Sequence, residues 1–352
     1  MLDIYKCRRR LPHGYKINPY MNVSRDVPYG EHARCVLDVY GVRSGAAVPV
    51  VLVIHGGAWI RGDKRGTEDV CRLLASRGLV VVSSNYQLAT LPGSLLVRAM
   101  LGLTAAFTVP LLWTQHVRRS VVAMYVALLC VVWVFIAVNV TSTTVADAEG
   151  VLPPHVGDVE RVLQWVEERV GWYGGDPQSV VLLGHSAGAH LVSLLALRRS
   201  TRQRCPVMGV VGISGVYSHA RLKMSWCGSW LSRVAFGIRE SYSSLFPVAC
   251  VHDHTPPHLL INAEWDLGLM RHTWDMAVTM RAHGVYIRCR RYAGTHLSIM
   301  KEWGRSGANA CILRDVLAFI DHVSAREDTG QSSCHVATGG VQADSCCLVD
   351  GP

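Results

Sequence analysis

The strongest chemical signal in the sequence is a serine flanked by small residues. Gly184-His185-Ser186-Ala187-Gly188 fits the pattern Gly-x-Ser-x-Gly, follows the apolar run Ser179–Leu183 and precedes a segment with helical spacing. Between a strand and a helix, this pattern predicts a sharp turn that exposes the serine hydroxyl at the edge of a sheet. We therefore predict that Ser186 is a nucleophile for attack on a carbonyl carbon.

A second signal is the glycine-rich segment His55-Gly56-Gly57-Ala58-Trp59, which directly follows the apolar run Val50–Ile54. Glycines allow backbone N–H groups to approach a substrate oxygen closely. Such a loop and the residue after the serine together form an oxyanion hole, which stabilises the negative charge that develops during acyl transfer. We expect the backbone N–H groups of Gly57, Ala58 and Ala187 to be the donors.

A nucleophilic serine also needs a base, and the base needs a carboxylate that orients it. The run His258–Asn262 leads to Asp266, and the run Val285–Tyr292 leads to His296, so both side chains come just after a predicted strand. His296 would accept the serine proton, and Asp266 would hold the imidazole in the required tautomer. Glu264 is an alternative acid because it lies near the same strand end.

The elements that would position these residues alternate along the chain. Short runs rich in Val, Ile and Leu predict strands that are buried on both faces of a mainly parallel sheet. These strands are Cys35–Val42, Val48–His55, Leu79–Tyr86, Ser179–Gly184, Val207–Ser214, His258–Asn262 and Val285–Tyr292. Apolar residues at helical spacing predict helices at Thr67–Arg77, Val156–Val170, Ala187–Arg198, Leu269–His283 and Ala308–Val323. This order predicts an α/β fold with a doubly wound, mostly parallel sheet and a site at the carboxyl ends of its strands.

An apolar segment, residues 91–149, interrupts this alternation. Within it, Ser120–Val140 is uncharged and long enough to cross a bilayer, and Leu95–Trp113 is a weaker second candidate. The short link between them carries Arg118 and Arg119, which favours a helical hairpin in the membrane. Two alternatives are an amphipathic lid over the sheet and a gene model that reads an intron as coding sequence.

Several segments, taken in order, carry a resemblance to a known family: HGGAW, NYQL, HVGDVERVLQWV, YGGDP, LLGHSAGAHL and GTHLSIM. They resemble the α/β-hydrolase fold and, more narrowly, its esterase branch of hormone-sensitive-lipase-like carboxylesterases, arylformamidases and isoprenylcysteine methylesterases. The resemblance implies a triad of Ser186, Asp266 and His296, with the oxyanion loop at His55-Gly56-Gly57-Ala58. The apolar segment departs from the family pattern, because the membrane segments of the methylesterases precede the hydrolase domain.

The resemblance covers residues 35–90 and 150–323, which we predict to form one α/β-hydrolase domain. Residues 1–34 are then an N-terminal extension, and residues 91–149 are a membrane hairpin or lid inserted into the domain. The final residues, 324–352, are rich in Ser, Thr, Gly and Gln and are predicted to be a disordered tail.

The composition argues against several other classes of protein. Hydrophobic residues make up 50% and charged residues 17% of the chain, which excludes a disordered protein. The net charge is +9, but the basic residues are scattered, so no nucleic-acid partner is predicted. The 12 cysteines lack the spacing of zinc ligands, and His252, Asp253, His254 and His258 fall in a polar loop. We therefore predict neither a metal nor an organic cofactor.

Together, these features predict a membrane-anchored serine hydrolase that cleaves a lipophilic carboxylic ester through an acyl-enzyme. We expect it on an internal membrane, with the hydrolase domain facing the cytosol. Activity of the isoprenylcysteine methylesterase or arylformamidase type, a non-catalytic membrane scaffold, and a cytosolic enzyme with a hydrophobic lid are the alternatives. The sequence leaves the oligomeric state open.

Overall fold

The computed structural model describes residues 21–41, 47–89, 152–199, 207–225, 228–236, 243–301, 303 and 310–328. Their strands are β1 (Val23–Pro28), β2 (Val36–Tyr40), β3 (Val48–Ile54), β4 (Val80–Ser84), β5 (Gly175–His185), β6 (Val207–Ile213), β7 (His258–Trp265) and β8 (Ile287–Thr295). These strands form one sheet in the order β1-β2-β4-β3-β5-β6-β7-β8. β2 is antiparallel to β1 and β4, and the other neighbours are parallel. The predicted doubly wound, mostly parallel sheet is confirmed.

The helices of the described residues cover both faces of this sheet. They are α1 (Glu68–Ala75), α2 (Pro154–Arg169), α3 (Ala187–Arg199), α4 (His219–Met224), α5 (Gly228–Phe236), α6 (Met270–Ala282) and α7 (Ala310–Asp328). In β3, Val50, Leu52 and Ile54 join the core formed with α2 and α3, whereas Val51 and Val53 join the core formed with α1 and α7. A strand buried on both faces must be apolar throughout, which explains the continuous valine-rich runs of the sequence.

The ends of β7 and β8 differ from the predicted ones in a way that matters for the site. Each strand continues beyond its predicted end, to Trp265 and to Thr295 respectively. Asp266 and His296 are therefore the first residues after two neighbouring parallel strands. Because such strands end at the same edge of a sheet, the fold itself brings the two side chains together.

Strand β1 lies in the predicted N-terminal extension and was not predicted. In the described sheet it is an edge strand that pairs with β2 and is interrupted by a bulge between Ser24 and Val27. A buried ion cluster holds it: the Lys64 Nζ lies 2.6 Å from an Asp38 carboxylate oxygen in β2 and 2.7 Å from an Asp26 carboxylate oxygen in β1. Lys64 is only 2% exposed, so these carboxylates satisfy a charge that has left water.

The predicted membrane hairpin at residues 95–113 and 120–140 lies outside the described residues. Among the residues that are described, no helix is both long and apolar enough to span a bilayer. The helix α7 continues to Asp328, which is inside the predicted disordered tail. The rest of that tail also lies outside the described residues.

Candidate active site

Ser186 lies in the turn between β5 and α3. Its φ is +54°, a left-handed conformation that a residue with a side chain rarely adopts, and its N–H donates to the Ile213 carbonyl at 2.8 Å. Gly188 lets the turn pack against β3, because a Cβ at this position would lie 2.2 Å from the Ile54 carbonyl oxygen. The Gly-x-Ser-x-Gly pattern therefore reflects a sharp turn that is packed backbone to backbone against the centre of the sheet.

A continuous chain of hydrogen bonds connects Ser186, His296 and Asp266. The Ser186 Oγ lies 3.0 Å from the His296 Nε2, and the His296 Nδ1 lies 2.7 Å from the Asp266 Oδ1. Because a carboxylate only accepts, Nδ1 carries the ring proton and Nε2 is left to accept the serine proton. The second Asp266 oxygen accepts from the Asn262 Nδ2 at 2.7 Å and from the Ala263 N–H at 3.2 Å, which fixes the carboxylate.

His185, the residue before the serine, holds the segment that carries His296. Its Nε2–H donates to the His296 carbonyl at 2.9 Å, and the two imidazole rings are 4.8 Å apart between centroids. The His296 N–H in turn donates to the Trp265 carbonyl at 3.0 Å. Burial lowers the pKa of His185 to about 4, so the ring is neutral at pH 7. The backbone of His296 is thus held by hydrogen bonds from the serine turn and to the end of β7.

The three predicted oxyanion donors lie beside the serine. Gly57, Ala58 and Ala187 line the same cavity as Ser186 and His296. Ala187 is the first residue of α3, so its N–H has no partner within the helix. Gly57 and Ala58 have φ values of +124° and +53°, and their loop closes where the N–H groups of residues 60 and 61 donate to the Gly57 carbonyl. We still expect these N–H groups to be the oxyanion donors, because all three residues line the cavity beside the serine.

Aromatic and histidine side chains anchor the oxyanion loop to the sheet and to α3. The His55 ring stacks on Tyr86 at 4.4 Å between centroids. The buried Trp59 donates its indole N–H to the His190 Nδ1 at 3.3 Å, and the His190 Nε2–H donates to the Leu245 carbonyl at 2.8 Å. Burial lowers the pKa of both histidines to about 4. Neutral rings therefore support the loop at pH 7.

Comparison with known proteins agrees with this geometry. The Carboxylesterase family model matches residues 156–265, and the BD-FAE family model matches residues 37–93. Esterase LipQ of Mycobacterium tuberculosis is 25% identical over 267 residues, which cover 70% of this chain and 50% of that protein. This chain is related to the α/β-hydrolase serine esterases. It spans about half the length of the mycobacterial relatives that it matches.

Two further comparisons, one of sequence and one of structure, point in the same direction. A probable isoprenylcysteine alpha-carbonyl methylesterase of Oryza sativa subsp. japonica is 24% identical over 332 residues, which cover 87% of this chain and 66% of that protein. A crystal structure of esterase B from Lactobacillus rhamnosis has a TM-score of 0.65 at 19% identity and covers 90% of each chain. The structural similarity shows a shared fold.

The serine opens into a cavity of about 1520 Å³. One part of its wall consists of apolar side chains from the segment after β6, from α5 and from the residue before α6: Val216, Leu231 and Leu269. Leu267 and Leu297 line it beside the triad and are 81% and 63% exposed. The cavity therefore has room beside the serine for a group larger than a short acyl chain.

The remaining candidates of the sequence lie apart from this cavity or outside the chain of hydrogen bonds. Asp266, and not Glu264, is the carboxylate at His296. His252 contacts the Leu197 carbonyl and His258 the Pro256 carbonyl, each through a ring nitrogen. In the described part of the chain, no group of three or more metal-ligating side chains could hold a metal ion.

Among the polar residues of the cavity wall that the sequence did not predict, one is a buried histidine. His272 lines the cavity, and its Nδ1 lies 3.2 and 3.1 Å from the backbone nitrogens of Tyr217 and Ser218. His272 is far in sequence from Tyr217 and Ser218, so no spacing pattern predicts this contact. An amphipathic helix with a histidine in its first turn was the only signal available.

Proposed function

We propose that this chain is a serine hydrolase that cleaves carboxylic esters through an acyl-enzyme. The observation that carries the proposal is the hydrogen-bonded chain from Ser186 through His296 to Asp266, with its serine end in a large cavity. A nucleophile, a base in the required tautomer and an orienting carboxylate are the components of acyl transfer by a serine. The esterase relatives support the same reaction class.

In this mechanism, the Ser186 Oγ attacks the carbonyl carbon of the ester while the His296 Nε2 takes the hydroxyl proton. Asp266 stabilises the imidazolium that forms, and backbone donors at Gly57, Ala58 and Ala187 stabilise the oxyanion. The tetrahedral intermediate collapses when His296 gives the proton to the leaving alcohol. A water molecule then attacks the acyl-enzyme by the same proton transfers, which releases the acid and restores the serine.

We infer that the substrate is lipophilic, because the cavity is large and partly walled by Val216, Leu231 and Leu269. The similarity to the rice protein, a probable isoprenylcysteine alpha-carbonyl methylesterase, suggests an isoprenylcysteine methyl ester as one such substrate. An acyl lipid and an aryl formamide are the alternatives within the same reaction class. A catalytically inactive scaffold is the alternative outside it.

Hydrolysis of a series of 4-nitrophenyl esters tests this proposal. We expect kcat/KM to rise from the acetate to esters of medium chain length, and Ser186→Ala to lower kcat by at least about 10³-fold. An isoprenylcysteine methyl ester and an aryl formamide, measured at the same concentrations, separate the substrate branches. A folded wild type without esterase activity on any of these compounds would favour the scaffold.

We further propose that residues 95–113 and 120–140 anchor the enzyme in an internal membrane with the hydrolase domain in the cytosol. The apolar sequence of these residues supports the proposal. The wild type should resist extraction by alkaline carbonate, whereas a variant without residues 91–149 should be released. Protease added to sealed vesicles should then digest the hydrolase domain. Release of the wild type by carbonate would instead favour a lid.

A further inference from the structure

One wall of the cavity combines apolar side chains with a few polar ones. Its apolar residues, Val216 and Leu222 with Leu231 and Leu269 packed against them, belong to one hydrophobic cluster of the core and line the cavity. Polar side chains on this wall come from α4 and α6 and the residue after α4: Arg221, Ser225, Arg271 and His272. They decide which polar atoms of a substrate could be recognised here.

Two of these four side chains, Arg221 and Ser225, already donate to the protein. Arg221 donates to both carboxylate oxygens of Asp275, at 3.0 Å each, through Nε and Nη2. The Ser225 hydroxyl donates to the Leu222 carbonyl at 2.7 Å. Arg271 is exposed to solvent, whereas His272 is buried. His272 is therefore the buried polar side chain of this wall whose donor could pair with a ligand, and its tautomer decides whether it has one.

The backbone contacts of His272 determine that tautomer. The N–H groups of Tyr217 and Ser218 both donate to Nδ1, at 3.2 and 3.1 Å, so Nδ1 carries no proton. His272 is 4% exposed, and burial lowers its pKa to about 4. The neutral ring thus has its proton on Nε2, on the side of the ring away from the two amides. The described residues provide no hydrogen-bond acceptor for this N–H.

On the basis of the proposed esterase function, we propose that His272 binds the substrate: its Nε2–H donates to an oxygen acceptor on an otherwise apolar substrate group. A carbonyl or ether oxygen within an aliphatic chain would satisfy both the donor and the surrounding leucine and valine side chains. A pure hydrocarbon group would leave a buried donor unpaired, which sites of this kind disfavour. The substrate class is therefore an ester with an oxygenated aliphatic acyl or alcohol group.

Two substitutions separate the structural contact of His272 from the proposed substrate contact. His272→Asn puts an amide oxygen near the Nδ1 position, so it keeps the acceptor for Tyr217 and Ser218 but has no donor at Nε2. His272→Gln puts an amide nitrogen near the Nε2 position and gives up the Nδ1 acceptor. The thermal midpoint of each variant reports the structural contact, and ester selectivity reports the substrate contact.

Two pairs of matched esters measure that selectivity on either side of the scissile bond. The acyl pair is 4-nitrophenyl 4-oxopentanoate and 4-nitrophenyl 4-methylpentanoate, and the alcohol pair is 2-methoxyethyl butanoate and butyl butanoate. Within a pair, the kcat/KM ratio of variant to wild type cancels the intrinsic reactivity of each ester. In at least one pair, we expect His272→Asn to lower the preference for the oxygenated ester by about three- to tenfold. His272→Gln should keep that preference within about twofold.

The outcomes distinguish a failure of this proposal from a failure of the proposed function. If His272→Asn leaves the selectivity ratio of both ester pairs unchanged in an active enzyme, the proposal is wrong. His272 would then only hold the backbone of Tyr217 and Ser218. If His272→Asn does not fold, His272→Gln decides, because loss of the preference in that variant contradicts the proposal. A wild type that hydrolyses none of the four esters and is not labelled at Ser186 by a fluorophosphonate would refute the esterase function, and this proposal with it.

Discussion

Asp266 and Glu264 show how far residue type and spacing determine a catalytic role. Both carboxylates lie near the end of β7, and the sequence leaves either of them available to the base. Only the extra residues of the strand decide between them, because Asp266 is the first residue after β7 and contacts His296 at 2.7 Å. The buried Asn262 then holds the other carboxylate oxygen, so the side chain has one orientation.

Replacement of the two carboxylates tests this assignment. Asp266→Asn should lower kcat for 4-nitrophenyl esters by about 10³–10⁴-fold, because an amide N–H at Nδ1 places the ring proton on Nε2, where the serine proton must go. Glu264→Gln is the matched control and should change kcat by less than about twofold. A larger loss in the control than in Asp266→Asn would reverse the assignment.

His185 provides a second test at the scale of single residues. Its Nε2–H positions the His296 backbone, so His185→Asn, whose shorter amide cannot reach the carbonyl, should lower kcat by about tenfold with little change in KM. His185→Gln, which places an amide N–H near the same point, should recover most of the activity. Steady-state kinetics of both variants give the answer. Equal losses of kcat in both would show that the hydrogen bond has no positioning role.

At the scale of elements, the strands with the strongest sequence signal are those that are buried on both faces. β3 and β5 are rich in Val and Leu because helices cover each side of the sheet. Their sequences therefore indicate that both faces are buried. β1 could not be predicted, because it is a half-exposed edge strand that contains Arg25 and Asp26. Its position depends on the ion pair between Lys64 and Asp26, which forms only in the folded chain.

Removal of the Lys64 ion pairs should lower the stability of the fold, because a buried carboxylate would lose its counter-charge. Lys64→Met leaves the fully buried Asp38 without its nearest cation, and we expect the free energy of unfolding to fall by about 3 kcal/mol. The exposed neighbour Arg65 provides the control, since Arg65→Met should change it by less than about 0.5 kcal/mol. Urea unfolding of the three proteins measures both values. Similar effects of the two substitutions would show that the cluster does not anchor β1.

The proximity of the three proposed triad residues could be predicted from the sequence, because parallel strands end at the same edge of the sheet. Ser186, Asp266 and His296 each follow a strand, and the carboxyl edge of the sheet brings them together. His272 could not be found in this way. Its role depends on the backbone of the segment after β6, to which its helix α6 is connected only by tertiary packing.

At the scale of the whole molecule, buried histidines make stability depend on pH. Burial lowers the pKa of His55, His185, His190 and His258 to about 4 and that of His155 to about 3, from an ordinary value of 6.5. At pH values between the folded and the ordinary pKa, these histidines bind protons in the unfolded chain but not in the folded one. The free energy of unfolding should therefore fall as the pH drops from about 6.5 towards 4.

His155 allows this effect to be measured for a single group. Within the described part of the chain, neither of its buried ring nitrogens has a hydrogen-bond partner, and the ring lies 5.4 Å from that of Phe236 between centroids. His155→Leu should reduce the slope of unfolding free energy against pH by about 1.4 kcal/mol per pH unit between pH 6 and 4.5. Gln164→Ala, on the exposed face of the same helix, should leave the slope unchanged. An unaltered slope in His155→Leu would contradict the assigned pKa shift.

The central claim, an activated serine at the end of β5, can be tested by labelling with a fluorophosphonate probe. We expect the full-length wild type, in membranes, to bind one probe molecule at Ser186, identified by mass spectrometry of its peptides. Ser186→Ala should not be labelled, whereas Ser225→Ala, which removes another serine of the same cavity, should be labelled as the wild type is. A folded wild type that stays unlabelled, or labelling that persists in Ser186→Ala, would contradict the proposed mechanism.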